Sequence, residues 1–470
     1  MAGKLDTLYS VAPGWFQNLM IAGFGWMWRR RRYGPAFHQE LPRVLARERW
    51  SRVQFEDYQA GELARLVAWA DAEVPYYREA FQKAGVHPSE IRTLSDLRRL
   101  PLLSREILRT RADDLFARSI PRRTMHCYQT SGSSGAPVTI AYGPGMHARW
   151  MAHYEARCRR WAGVTWTDSR STVAARLVVP KKRTKPPFWK YNPFERQLYF
   201  STYHISPQNI RSYGDAFRRY APTYHSGFTS ATYFMASLLE EIGDPGFSMK
   251  AVFAGSDPLT EAMRTKISRV FHAPVFDTYG AVEACCLASE CERGRMHVSP
   301  DVGIVEILDE KGDPVPPGRT GEIVATGLLN RAQPLIRYRT RDMAAWASDQ
   351  ACPCGRGMPI LEGIEGRVED AVIAPDGSIM KRFHRVFNGV EHLREAQIVQ
   401  EELNRFLIRV AAAPGFGDAQ RKQIAHNIRA HAGDVSVEFE TVEALERTAR
   451  GKVKAVISKV NPSSLIHKGP

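Results

Sequence analysis

Phe234, Met235, Leu238 and Leu239 recur at helical spacing, so a helix carrying them buries a single apolar stripe. Shortly downstream, Lys250–Gly255 and Pro274–Tyr279 are short runs of the kind that form buried strands. The stretch Thr260–His272 between them keeps a helical period, and the three predict a strand–helix–strand unit. Helical and extended patterns alternate in this way over most of the chain, which marks an α/β protein. From Asp301 to Trp346 the pattern turns to strands and turns, broken at Lys311-Gly312-Asp313-Pro314 and Pro316-Pro317-Gly318. Behind Gly366 it changes again. Ala371–Ala374 and Ser378–Phe383 predict a hairpin turned by Pro375-Asp376-Gly377. A helix around Asp418–His431 places Ile424 and Ile428 one turn apart, and Val435, Val437 and Phe439 alternate with polar residues as in a half-buried strand. The expected organisation is a helical arm over 1–57, a large domain over 58–366 and a small α+β domain over 367–470.

The N-terminal segment reads differently. No charged residue occurs from Thr7 to Trp28, and Arg29, Arg30, Arg31 and Arg32 follow at once. A secretory signal carries its positive charge before the apolar run, so the order is wrong for one. Pro13, Gly14, Gln17, Asn18, Gly23 and Gly25 interrupt the run too often for a membrane span. A helical arm docked on the main domain is the expectation, with an interfacial helix and basic anchor as the alternative.

With 470 residues and 44% hydrophobic content the chain can bury a large core, which excludes disordered and fibrous classes. Seven cysteines are too few for a disulfide scaffold and fit free thiols in a reducing compartment. A net charge of +15 favours anionic partners such as nucleotides, coenzymes, nucleic acid or acidic lipid. No helix-turn-helix, RNA-binding sheet motif or zinc-finger spacing supports nucleic acid.

Five segments carry candidate chemistry. Thr130-Ser131-Gly132-Ser133-Ser134-Gly135-Ala136-Pro137 precedes an extended run at Val138–Tyr142. Its glycines let backbone amides approach a polyphosphate, and its hydroxyls add donors. It is not a Walker A loop, since no Gly-Lys-Ser/Thr closes it. Asp277-Thr278-Tyr279-Gly280-Ala281-Val282-Glu283 sits at a strand's C-terminal end, where α/β sheets place ligands. There a tyrosine can stack on a base and a carboxylate can hold Mg2+ on phosphate oxygens. Tyr338-Arg339-Thr340-Arg341-Asp342 offers a carboxylate for ribose hydroxyls, and Gly366-Arg367-Val368-Glu369-Asp370 an arginine for ribose or phosphate. In Arg447-Thr448-Ala449-Arg450-Gly451-Lys452 the lysine follows a glycine as a point charge able to reach a phosphate. Singly, each also reads as a connecting loop or solvated surface.

In this order and spacing they resemble the adenylate-forming superfamily of acyl-coenzyme A ligases, peptide-synthetase adenylation domains and luciferases. Tyr76-Tyr77-Arg78, Leu100-Pro101-Leu102-Leu103-Ser104 and Ile336–Asp342 look most like its phenylacetate–coenzyme A ligase branch, including relatives encoded with capsule genes. The resemblance runs from about Tyr58 to Val460. It implies a large N-terminal domain of helix-covered sheets with a β-rich subdomain, and a small mobile α+β domain behind it. ATP would be held by Thr130, Ser131, Gly132, Ser133, Ser134, Gly135, Gly255, Asp277, Tyr279, Gly280, Asp342 and Arg367, with Mg2+ on Glu283. Lys452, Glu283 and Arg367 would serve the chemistry, Glu369 the hinge, and Tyr203, His204, Gly227 and Ser230 the acyl substrate. A carboxylic acid would become an acyl-adenylate and pass to coenzyme A in a cytoplasmic enzyme, with the inner membrane face as a second location for the arm.

Two departures bear on this. Ala136-Pro137-Val138 stands where many members carry a lysine. Ala374–Ser378 and Phe383-His384-Arg385 replace a glycine-rich turn and Phe-Pro pair of the small domain, which leaves a carrier protein or an amine as alternative acceptors. A non-catalytic basic protein binding membrane or nucleic acid is the reading from another class. Finally, Cys291, His297, Cys352 and Cys354 offer three thiolates and an imidazole, a donor set for structural Zn2+, with Cys285 and Cys286 as spare candidates.

Overall fold

The computed structural model describes residues 9, 11–130, 138–174, 178–243, 246–367, 372–375, 379–380, 386–387, 389–447 and 453–460. The chain divides into two compact units, one of residues 23–168 and 276–364, the other of residues 1–22, 169–275 and 365–470.

In the first unit, helices Pro35–Ala46 and Met146–Tyr154 pack on each other, helix Arg52–Glu73 follows Pro35–Ala46 in the chain, and His126–Gln129 pairs antiparallel with Thr139–Tyr142. Arg52–Glu73 starts on a capping box, in which Ser51 and Gln54 satisfy each other's backbone donors. The expected strand-and-turn region is antiparallel: Gly303–Leu308 pairs with Gly321–Gly327, which pairs with Tyr338–Trp346. Leu287–Glu290 pairs with Met296–Val298 and with residues 278–280 of the strand Val275–Gly280. Gly303 is a point of close backbone approach. A Cβ there would stand 1.9 Å from the Cys285 carbonyl oxygen and 2.9 Å from that of Thr326. Neither backbone can yield cheaply, so Gly303→Ala is expected to cost about 1–3 kcal/mol or more. A thermal melt should therefore drop by several degrees; an unchanged midpoint would contradict so tight an approach.

The second unit carries four parallel strands. Arg170–Val173 lies between Gln197–Phe200 and Tyr224–Phe228, and Ala251–Gly255 follows Tyr224–Phe228. Trp189–Asn192 adds an antiparallel edge. The predicted helical stripe is the helix Thr229–Glu241, with Phe234, Met235, Leu238 and Leu239 buried in the core of this sheet. The expected helix Thr260–His272 is observed as Glu261–Phe271, with the Thr260 hydroxyl accepting from Met263 N at its start.

The smaller C-terminal part has its own four-stranded sheet. Leu393–Glu402 and Arg405–Ala412 run antiparallel, flanked by Val456–Ser458 and Ser436–Thr441. Helix Asp418–Ala432 covers it, burying Ile424 and Ile428. Val372–Ile373 pairs antiparallel with Ile379–Met380, as the hairpin pattern predicts. The architecture is thus α/β, with a large sheet-rich portion and a small α+β portion.

The N-terminal run is more continuous than its glycines suggest. Gly23 and Gly25 lie inside one helix, Gly14–Arg32, whose last turn is Arg29–Arg32. Cations there complement the helix dipole. Among the described residues no helix is long and apolar enough to cross a membrane.

Candidate functional site

The nucleotide-type residues of the first unit converge from segments far apart in sequence. The strand ending at Gly280 presents Tyr279, whose hydroxyl donates to Asp342 Oδ2 at 2.7 Å. Burial, and then the Asp342 carboxylate, hold the Tyr279 phenol well above its ordinary value, so it remains a donor. Glu283 follows in the loop, and Tyr338 donates its hydroxyl to Glu283 Oε1 at 3.2 Å. Burial, with Glu283 beside it, pushes the Tyr338 phenol up as well. Glu283 and Asp342 are each 8% exposed, so these carboxylates sit in a recess rather than on an open surface. Tyr142 fixes the intervening loop by donating to the Val282 carbonyl at 2.7 Å.

Thr130 lies at the other edge of this group. Its hydroxyl accepts from Arg105 Nη2 at 3.1 Å and from Val138 N at 3.0 Å, which closes the base of the Ser/Gly segment. Ser131, Gly132, Ser133, Ser134 and Gly135 lie outside the described residues. Asp277 N donates to Glu290 Oε2 at 2.7 Å. Gly280 is closely covered: a Cβ there would come within 3.2 Å of the Trp150 ring.

In the second unit, Gly255 ends a parallel strand beside the start of helix Thr229–Glu241. Thr229 donates to the Asp257 carbonyl at 3.0 Å, and Ser230 donates to Asp257 Oδ2 at 2.8 Å. Gly227 admits no side chain, since a Cβ would meet Val173 Cγ1 at 2.5 Å and Thr232 Oγ1 at 2.8 Å. His204 is stacked on Phe188 with ring centroids 4.9 Å apart, and its Nδ1 lies 2.7 Å from Ser201 Oγ. Tyr203 is half-buried under Lys181, whose Nζ is 4.4 Å from the ring centroid.

Arg367 ends the strand Ile360–Arg367, and Glu369 and Lys452 lie outside the described residues. The flanks of the Lys452 segment are placed. Arg447 and Val453 face each other across an antiparallel bridge. Arg447 Nη2 donates to Glu395 Oε1 at 2.7 Å, and its guanidinium lies 5.6 Å from the Phe234 ring.

The cysteine–histidine set comes together in the first unit. Cys291 follows the strand Leu287–Glu290 and His297 sits on its partner Met296–Val298, so one hairpin brings both. A turn in which Gly355 N donates to the Cys352 carbonyl brings Cys352 and Cys354. The four donor atoms lie within 4.8 Å of one another. Cys291 Sγ is 3.8 Å from Cys352 Sγ, and Cys354 Sγ is 3.4 Å from His297 Nε2. A tetrahedron with Zn–S of about 2.3 Å and Zn–N of about 2.0–2.1 Å has edges of about 3.8 Å and 3.5 Å. The donors therefore fit zinc. His297 Nδ1 lies 3.1 Å from the Met358 carbonyl, which leaves Nε2 facing the thiols. Burial lowers the His297 pKa and favours the neutral imidazole a metal needs. Burial alone would raise the Cys354 pKa, but hydrogen bonds from Arg356 bring it below its ordinary value. Cys285 and Cys286, the spare candidates, are buried elsewhere and are not in the group.

Sequence reasoning gives roles to Asp342 and Glu283 but none to Tyr338, which holds Glu283, nor to Arg105 at Thr130. Tyr338 heads the same element as Asp342, and Arg105 directly follows the Leu100–Ser104 stretch. Both positions were within reach of that reading, but the side-chain pairings were not.

Residues 201–330 match the AMP-binding enzyme family and residues 372–459 the CapK C-terminal domain family. The chain is similar to Protein CapK of Staphylococcus aureus, 22% identical over 468 residues that cover 97% of this chain and 100% of that protein. It is 28% identical over 356 residues to the phenylacetate-coenzyme A ligase of Escherichia coli strain K12, covering 68% of this chain and 73% of that protein. Among solved structures it shares the fold of 2-hydroxyisobutyryl-CoA ligase in its postadenylation state, with a TM-score of 0.71, 22% identity and coverage of 88% of this chain and 91% of that one.

Proposed function

We propose that this chain, an adenylate-forming enzyme of the phenylacetate–coenzyme A ligase-like branch to which capsule-associated proteins also belong, activates a carboxylic acid with ATP and passes the acyl group to coenzyme A. What carries the reading is the pair of bonds Tyr279–Asp342 and Tyr338–Glu283, which join two distant motif elements in one recess. In this reading Tyr279 packs on the adenine and Asp342 accepts from the ribose hydroxyls. Gly255, Asp277 and Gly280 border the nucleotide, Arg367 pairs with ribose or phosphate, and Thr130–Gly135 cradle the β- and γ-phosphates. Tyr203, His204, Gly227 and Ser230 border the acid, and Glu369 is the hinge.

Glu283 fits a Mg2+ ion held mainly by substrate phosphates, because such sites use one or two carboxylates. When bound, the ion supplies positive charge to phosphate oxygens. Tyr338 donates to Glu283 Oε1 and so fixes the direction of the carboxylate. The substrate carboxylate oxygen attacks the α-phosphorus, the α–β bond breaks, and pyrophosphate leaves. Lys452 lies between the two anionic reactants in that step. The coenzyme A thiolate then attacks the acyl carbon and AMP leaves with the bonding pair, the thiol proton having gone to solvent. Cys291, His297, Cys352 and Cys354 hold a closed structural Zn2+ that takes no part in these steps. The cytoplasm supplies the ATP and coenzyme A this reaction needs, and the N-terminal arm touches the inner face of the membrane.

Purified protein given its acid should exchange labelled pyrophosphate into ATP. Asp342→Ala should lower kcat/KM for ATP by about 10–100-fold, the worth of a hydrogen bond to a charged group. No exchange with any acid of a broad panel overturns the reading. The small-domain departures at Ala374–Ser378 and Phe383-His384-Arg385, in a region that matches the CapK C-terminal domain, motivate a second acceptor class, a carrier-protein thiol or an amine. Mass spectrometry of preformed adenylate offered coenzyme A, a carrier protein or an amine separates the acceptors.

A further inference from the structure

Residues 7–39 and residues 169–194 contain no Asp or Glu. In the second unit their parts lie against each other. Tyr9 donates its hydroxyl to the Val178 carbonyl. Lys190 Nζ donates to Asn18 Oδ1 at 2.9 Å and to the Gly14 carbonyl at 3.5 Å. The start of the N-terminal helix and the segment 178–190 therefore share one surface.

That surface has two components. On the helix Gly14–Arg32, Gln17 and Ile21 turn inward, which leaves Trp15 and Leu19, one turn apart, 71% and 61% exposed, and Val11, ahead of the helix, is 75% exposed. They form an apolar stripe open to solvent. Beside it, the loop from Pro180 carries Lys181, Lys182 and Lys185 exposed, with Arg183 folded back to donate to the Lys185 carbonyl at 2.9 Å. Further along the same helix Trp26 and Met27 are exposed, and Arg30 lies 4.9 Å over the Trp26 ring.

We propose that this face docks on an anionic lipid bilayer, with Val11, Trp15 and Leu19 seated at the headgroup–acyl boundary and Lys181, Lys182 and Lys185 on the lipid phosphates. The inference extends the reading of the arm as a membrane contact by adding a second, basic element and a lipid class. It does not depend on catalysis. Apolar and aromatic side chains together with cations, from segments that contain no Asp or Glu, suit an anionic interface. Nucleic acid would use the cations but not the apolar stripe. The helix lies on the membrane in this arrangement rather than crossing it, in keeping with its interrupted apolar run. The same loop reaches the expected acyl site, because Lys181 is the cation over Tyr203.

The test is co-sedimentation of the full chain with phosphatidylcholine vesicles and with vesicles holding about 30% phosphatidylglycerol, at about 0.1 M salt. Wild-type protein should pellet with the anionic vesicles only. The double variants Trp15→Glu/Leu19→Glu and Lys181→Glu/Lys182→Glu should each bind about tenfold more weakly or worse. Their circular dichroism should match wild type, because the altered side chains point outward. Brominated acyl chains should quench less fluorescence in Trp15→Phe than in wild type, a readout that does not rest on loss of binding. Failure of wild type to pellet, or equal binding by the variants, overturns the proposal. A wild-type dimer in sedimentation velocity that Trp15→Glu/Leu19→Glu converts to monomer also overturns it, since the stripe would then be a contact between copies. A lack of pyrophosphate exchange leaves it standing, so the two readings fail separately.

Discussion

Replacing Lys452 with Ala is expected to slow adenylate formation by about a hundred- to a thousandfold, equivalent to about 2.7–4 kcal/mol. Transfer from preformed acyl-adenylate to coenzyme A should change by no more than a few fold. The asymmetry follows from where charge meets. In the first step an anionic carboxylate approaches an anionic α-phosphate, and their repulsion is greatest at closest approach. A preorganised ammonium between them is worth most in that transition state. In the second step the attacked carbon lies in a mixed anhydride with AMP as the leaving group, and in the proposed reaction the small domain turns about the Glu369 hinge and takes Lys452 away before the thiol enters. The absence of a lysine after the Ser/Gly segment sharpens the expectation, because Ala136-Pro137 leaves fewer cations to share the work. The Lys452 segment is also anchored close by: Arg447 is bonded to Glu395 and bridged to Val453. Loss of one side chain should therefore leave the surrounding fold intact. Pyrophosphate exchange reads the first half-reaction, and synthetic acyl-adenylate with coenzyme A reads the second. Equal losses in both halves would remove Lys452 from its assigned place.

The elements of this fold follow from local patterns, and the side-chain pairings do not. The stripe at Phe234–Leu239 and the helix after Thr260 depend on neighbours in sequence, and both are found. The five motifs could be ordered along the chain, and bringing Tyr279 to Asp342 across 63 residues took the fold. Buried charge was the least legible feature. Arg157 and Asp301 are charged residues that a pattern reading assigns to solvent, yet both are fully buried and bonded at 3.0 Å. Arg47 adds a second bond to the same carboxylate at 2.8 Å. Burial of such groups is tolerable only when partners meet them, and those partners lie 144 and 254 residues away. Hydropathy along the chain has no access to that compensation. The cysteine–histidine set was legible for the opposite reason. Thiols and imidazole are few, so their spacing alone narrows the possible donor sets.

Removing zinc, or replacing Cys354 with Ser, is expected to lower the melting temperature by about 10 °C or more, with activity lost only as the protein unfolds. Purified wild type should carry about one zinc per chain by elemental analysis, as a closed four-donor site requires. The cost follows from what the metal offsets. Without a cation, thiolates whose sulfur atoms lie 3.8 Å apart repel, and protonated thiols would bury weak donors among Phe55, Trp161 and Met358. The site also joins two separate pieces of chain, the hairpin at Cys291 and His297 and the turn at Cys352 and Cys354, so its loss frees both. Arg356 compounds the effect. It is held by Glu48 Oε1 at 2.5 Å and Glu292 Oε2 at 2.8 Å, and it bonds to Cys354, so losing the thiolate removes one of the partners that fix the turn. Cys127→Ser, at an exposed cysteine outside the set, is the control and should keep both zinc and melting point. A protein that purifies without zinc and melts alike with and without chelator would show that the four donors are packed side chains and nothing more.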